Sequence, residues 1–163
     1  MKKLIGLLLT GMFVTVSFMT QAQTSTSDKA YLLNIRNIGT DKAAVKATRD
    51  FWMRAGDQRN TQWYKLSEGY LAEYYDGSKQ AHYLYDQKGN FSYSMFTYTE
   101  KEMPADVRHL VRSNYYDFTI GWVKEVEEAD TRAYVVHIED SVSWKDVVVQ
   151  DGNLRVLHSY RKD

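Results

Sequence analysis

The chain has 163 residues, with 21 Lys and Arg balanced by 21 Asp and Glu, 13 Tyr and no Cys. A balanced charge, with no cluster of Lys and Arg beyond the first residues, excludes a nucleic-acid binder, which must neutralise a row of phosphates. The lack of Cys excludes disulfide staples and thiolate metal sites, so stability must rest on packing.

Lys2-Lys3 precede an apolar run from Leu4 to Met19, and Thr20-Gln21-Ala22 sets small residues at the −3 and −1 positions of a cut before Gln23. This pattern predicts a secretory signal peptide over 1–22. The run is short for a spanning helix, which needs about 20 apolar residues, so no membrane association is expected after cleavage. Cleavage removes two of the 21 basic residues and none of the 21 acidic ones, for a net charge of about −2. The expected location is the periplasm or the exterior. Residues 23–40 read as a partly ordered lead-in, polar through Lys29, then apolar enough between Ala30 and Ile38 to pack as a strand. Residues 41–163 suffice for one hydrophobic core and are taken as a single domain.

Asp41 can cap a helix whose apolar positions Ala44, Thr48, Phe51 and Ala55, flanked by Val45 and Trp52, keep a 3.6-residue period until Gly56 stops it. Four strand-like runs follow, at 62–66, 70–75, 81–85 and 91–99, divided by Glu68-Gly69, Asp76-Gly77-Ser78 and Gln87-Lys88-Gly89-Asn90. The pattern then restarts. Pro104 suits a first helical turn, and Val107, Leu110 and Val111 form a narrow stripe. Runs at 119–127, 133–140, 144–150 and 154–160 come next, the last two joined by Gln150-Asp151-Gly152-Asn153. The recurrence of Gln-x-Gly-Asn, 63 residues apart, predicts two copies of one hairpin turn, because Gly supplies positive φ and Asn tolerates it. The expected fold is α+β: two tandem repeats of one helix plus four antiparallel strands, over 41–100 and 101–163. The repeats join into one antiparallel sheet with both helices on one face.

The helix, Trp63 ahead of Gly69-Tyr70-x-Ala72-x-Tyr74, the strand end Tyr85-Asp86, the Gly89 turn and Met103-Pro104-x-x-Val107 resemble the PepSY-like, beta-lactamase-inhibitor-like family of small exported bacterial proteins. The resemblance spans roughly 41–163. It implies tandem helix-and-sheet units and a non-enzymatic role, in a fold likened to inhibitors that grip another protein with a concave sheet. Met103 stands where the family more often has Leu, and Asp146 takes a strand position that is usually apolar.

Signatures of catalysis are missing: no Gly-x-Ser-x-Gly elbow, no His-Glu-x-x-His, no phosphate loop and no Cys nucleophile. His137 and Glu139 share a strand face and could chelate a metal only if a third ligand such as His82 approached, so no metal or other cofactor is expected. Glu125, Glu127, Glu128 and Asp130 read as a solvated hairpin tip. The excess of Tyr suits either a core of large rings or a recognition face. Alternation assigns Tyr70, Tyr74, Tyr83, Tyr85, Phe91, Tyr93, Tyr134, Val136 and Ile138 to the helix-covered side. It leaves Tyr75, His82, Leu84, Phe96, Tyr98, His137 and Arg155 as candidate partner-binding residues on the open side, with Val123, Lys145 and Val147 beside them. The expected function is docking of a protein or peptide in the periplasm. The alternative is a periplasmic carrier holding a small apolar ligand in a cavity between sheet and helices.

Overall fold

The computed structural model describes the backbone of residues 31–32 and the whole of residues 41–163. The expected signal peptide and most of the lead-in lie outside the described residues. Strand β1 (Tyr31–Leu32) precedes helix α1 (Lys42–Ala55), then β2 (Gln62–Leu66), β3 (Gly69–Tyr75), β4 (Gln80–Asp86) and β5 (Phe91–Tyr98). A single 3₁₀ turn leads into α2 (Ala105–Asn114), followed by β6 (Thr119–Glu128), β7 (Thr131–Glu139), β8 (Ser143–Gln150) and β9 (Asn153–Arg161). The strands form one antiparallel sheet in the order β1 to β9, each paired with its neighbour in the chain. Of the lead-in, Tyr31 and Leu32 pair with Lys65 and Tyr64.

The helices begin and end where their sequences dictate. Asp41 Oδ1 accepts from the amides of Ala43 and Ala44 at 3.0 and 3.3 Å, and Gly56 closes the other end at a φ of +73°. Asp41 also ties α1 to the sheet, because its Oδ2 accepts from the Tyr70 hydroxyl at 2.7 Å and pairs with Lys65 at 3.3 Å. The Tyr70 hydrogen bond is the main reason the Asp41 carboxyl is lowered to about 2, while burial pushes Tyr70 up to about 12.

Both helices cover the same face of the sheet. Ala44, Ala47 and Phe51 of α1 pack on Trp63, Tyr70, Ala72, Tyr83 and Tyr85. Phe51 is fully buried, edge-on to Tyr83 and Trp63 at 5.1 and 5.5 Å between centroids. Val107 and Val111 of α2 pack on Ile120, Val123, Val136, Ile138 and Val147. Trp52, which the sequence period set beside the apolar stripe, is 62 % exposed, because the buried stripe runs through Ala44, Ala47 and Phe51 and turns Trp52 outward.

Bulges change which face several residues occupy. Leu84 pairs with Tyr93 and Tyr85 with Phe91, so Ser92 is an extra residue and the alternation reverses after it. Ser94, Phe96 and Tyr98 therefore face the helices, and Tyr93 faces away. Two expected open-face residues are corrected by this reversal: Phe96 packs against both core clusters, and Tyr98 is 3 % exposed in the core. Gly121 is a second extra residue, between Ile120 and Trp122, which puts Val123 in the core and Trp122 on the other face. In β8 Val147 and Val149 belong to the core, so Trp144, Asp146 and Val148 face away from the helices.

The two Gln-x-Gly-Asn copies close different turns. Gly89 and Gly152 share positive φ, +75° and +71°. The first copy fills a four-residue loop in which the Asp86 carboxylate accepts the amides of Lys88 and Asn90, both at 2.8 Å. The second leaves only Asp151 and Gly152 between the strands, both at positive φ, as a type I′ hairpin turn requires. A side chain on Gly89 would stand 2.2 Å from the Ala43 carbonyl, whereas Gly152 faces open space.

Candidate functional site

The helix-free face of β6–β9 carries a continuous row of aromatic rings. Trp122 of β6 pairs with His137 of β7, and the two rings lie 5.1 Å apart, within 9° of parallel. Trp144 of β8 follows at 5.3 Å from His137, and Tyr160 of β9 stacks on Trp144 at 4.1 Å. Cross-strand neighbours on one face stand close enough for large rings to touch, and the register sets these four side by side. The absence of a side chain on Gly121 helps, since a Cβ there would come within 3.2 Å of His137 Cδ2.

Polar groups border the row. Asp146 Oδ1 lies 2.8 Å from His137 Nδ1, and Oδ2 lies 3.6 Å from His158 Nδ1. One carboxylate thus lies between two imidazoles, which fixes the His137 ring in the plane that stacks on Trp122. Lys124 places its ammonium 4.9 Å from the centre of the Trp122 ring. Arg155 pairs in register with Val148 on the same face and has no ion pair among the described residues. Trp122 and Trp144 are half-buried, while Tyr160 is 49 % exposed.

The helix-free face of β2–β5 is quieter. Leu71 pairs with Leu84, Glu73 with His82 and Tyr75 with Gln80. His82 is 4 % exposed, its Nε2 3.5 Å from Glu73, and burial lowers its pKa below the ordinary value. Tyr75 is 63 % exposed, and Leu84 and Tyr93 are half-buried. Of the expected partner-binding residues, Tyr75, Leu84, His137 and Arg155 share the open face, and His82 lies in it but is buried. Phe96 and Tyr98 do not. Trp122, Trp144, Asp146, His158 and Tyr160 escaped sequence reasoning, although an Asp where an apolar residue was expected was a sign that β8 turns position 146 outward.

Other candidate chemistry disperses. His82 on β4 and His137 on β7 are three strand spacings apart, about 14 Å, too far for a shared ligand. Among the described residues no three His, Asp or Glu converge in a geometry that could hold a metal. The acidic cluster is divided, which corrects its reading as one solvated tip. Glu125 is buried on the helix side, bound by the Tyr98 hydroxyl at 2.8 Å and by Arg132 at 3.2 Å; Glu127 also pairs with Arg132, and Glu128 and Asp130 remain exposed. A depression of about 510 Å³ lies between α1 and the β6–β7 turn, open to solvent and walled by Lys46, Asp50, Arg54, Phe91 and Glu128.

No protein-family model and no curated protein matches the sequence. Solved structures do match in fold. A BLIP-like protein from Bacteroides fragilis superposes with a TM-score of 0.58 at 16% identity, over 72% of this chain and 84% of that one. A DUF2874 family protein from Bacteroides ovatus gives 0.58 at 11% identity, over 71% and 85%. A protein of Bacteroides eggerthii provisionally assigned to the periplasm gives 0.55 at 10% identity, over 71% and 86%. The fold of the described residues, an antiparallel sheet with two helices on one face, is thus BLIP-like. Among the described residues no helix is long and apolar enough to cross a membrane.

Proposed function

We propose that this chain is a non-catalytic exported module that docks a protein or peptide through the helix-free face of its sheet. The observation that carries the reading is the row Trp122–His137–Trp144–Tyr160, a rigid, partly exposed aromatic surface on a face that neither helix covers. Aromatic rings held by stacking and by the Asp146 hydrogen bond give a partner large contact area at small cost in side-chain entropy. Tyr75, Leu84 and Arg155 extend that face, and His137 belongs to its centre. The BLIP-like fold and a neighbour assigned to the periplasm support a binding role in that compartment, reached through a signal peptide over 1–22. The succession of a helix and four strands, twice over, supports a chain built of two tandem units, 41–100 and 101–163. A carrier would need an enclosed apolar cavity, and the charged, open depression beside α1 does not offer one.

The test is capture of partners from periplasmic extract by the immobilised protein, wild type against Trp144→Ala and Tyr160→Ala. Loss of a ring at the centre of an interface costs about 2 kcal/mol or more, roughly thirtyfold in affinity. Capture that survives both substitutions, in proteins that still fold, overturns the reading.

A further inference from the structure

The outer edge of β9 is the second feature of this surface that points to a partner. β9 runs for nine residues as the last strand of the sheet, and among the described residues no strand lies beside its outer backbone groups. In a two-residue hairpin the flanking residues Gln150 and Asn153 exchange the first pair of hydrogen bonds, so the Asn153 amide points to β8 and those of Leu154 and Val156 point outward. The edge continues the aromatic row, because Tyr160 lies on this strand. Val156 and Tyr160 are both about half exposed.

The charge along this edge has one sign. Between Asn153 and Lys162 there is no acidic residue, and Arg155, Arg161 and Lys162 are cations. Lys162 is neutralised by Glu139 at 2.8 Å. Arg155 and Arg161 have no ion pair or side-chain hydrogen bond among the described residues. A second copy is a poor occupant: β9 carries cations and no acidic residue between Asn153 and Lys162, so two such edges would bring like charge to like. We propose that β9 takes an extended acidic segment of a partner protein as an added strand, its carboxylates meeting Arg155 on the helix-free face and Arg161 on the opposite one. The proposal deepens the docking reading, since it names the chemistry and the mode of engagement of what that face would bind. Backbone hydrogen bonds along the edge would supply affinity, and the two arginines would select for acid.

The experiment uses a capped octapeptide of alternating Thr-Thr and Glu-Glu pairs, which sets Glu on both faces of an added strand, and the same peptide with Lys for Glu as control. Affinity is measured by fluorescence anisotropy, and amide exchange is followed by NMR with and without peptide. The acidic peptide is expected to bind at least tenfold more tightly than the basic one and to slow exchange at Leu154 and Val156. Val156→Pro removes an outward-pointing donor without a ladder bond, and Arg155→Glu reverses a charge; each is expected to weaken binding at least tenfold with the melting temperature held. Equal affinity for both peptides, or binding that leaves Leu154 and Val156 exchanging freely, overturns the inference. So does protection of these amides in the free protein with a dimeric mass, which would make the occupant a second copy. The docking face stands or falls separately on Trp144→Ala and Tyr160→Ala in the capture of natural partners.

Discussion

His137 lies flat against Trp122, their ring centres 5.1 Å apart, while its Nδ1 is held 2.8 Å from Asp146 on the next strand. One side chain therefore joins an aromatic row to a polar pair, and its neighbours in that arrangement come from the two flanking strands, β6 and β8. Asp146→Ala is expected to release the ring and weaken partner capture without removing any aromatic surface, a loss of about tenfold for about 1.4 kcal/mol. Binding measured for Asp146→Ala beside His137→Ala checks this, and an unaffected Asp146→Ala would mean the carboxylate does not orient the row.

Phe51 and Trp52 are adjacent in sequence and opposite in environment. Phe51→Ala empties a site that is 0 % exposed and is expected to cost about 3–5 kcal/mol. Trp52→Ala, on the outer side of α1, is expected to change stability by no more than about 0.5 kcal/mol. Reversible urea denaturation of the two variants gives both numbers, and equal losses would place α1 differently on the sheet.

Gly89 and Gly152 separate two reasons for a glycine. Gly152→Ala meets only the strain of positive φ, about 1–2 kcal/mol, while Gly89→Ala must also displace the Ala43 carbonyl and should lose more. Gly152→Asn should restore most of the loss, and Gly89→Asn should not. Thermal melts of the four variants decide it.

Asp41 gives the fold part of its acid sensitivity. Its folded-state pKa, about 2, lies below the unfolded value of 3.8, so the carboxylate contributes stability that is complete above about pH 4 and is lost as the pH falls through about 2. Asp41→Asn is expected to lower stability at pH 6 and to match the wild type near pH 2. A gap that persists unchanged to pH 2 would contradict the role of the Tyr70 and Lys65 contacts.

The helices, the eight long strands and the strand order were legible, because each turn carries its own chemistry and a meander leaves little choice of neighbours. The faces were legible only between bulges. Ser92 and Gly121 each add one residue that no local pattern announces, and each reverses the alternation beyond it, which is why Phe96, Tyr98 and Val123 were misplaced. In β8 the run Val147-Val148-Val149 has no alternation to read, so Lys145 and Val147 were assigned to the open side although Val147 lies in the core. The aromatic row was invisible because it exists only in the register between four strands.

Tyr98 turns this lesson into a measurement. Facing the helices and bonded to Glu125, it should lose stability on Tyr98→Phe by about 1–3 kcal/mol, the cost of leaving a buried carboxylate short of a donor. Partner binding by the folded variant should be unchanged, since the hydroxyl is not on the docking face.

Site-specific photo-cross-linking in the living cell tests the docking face most directly. A benzophenone side chain is placed at Tyr160 or Tyr75 on the helix-free face, and at Trp52 on the outer side of α1, all of them exposed. The account predicts a protein adduct from position 160 that is missing from position 52. An adduct from position 52 with none from 160 or 75 would contradict it and move the binding surface to the helices.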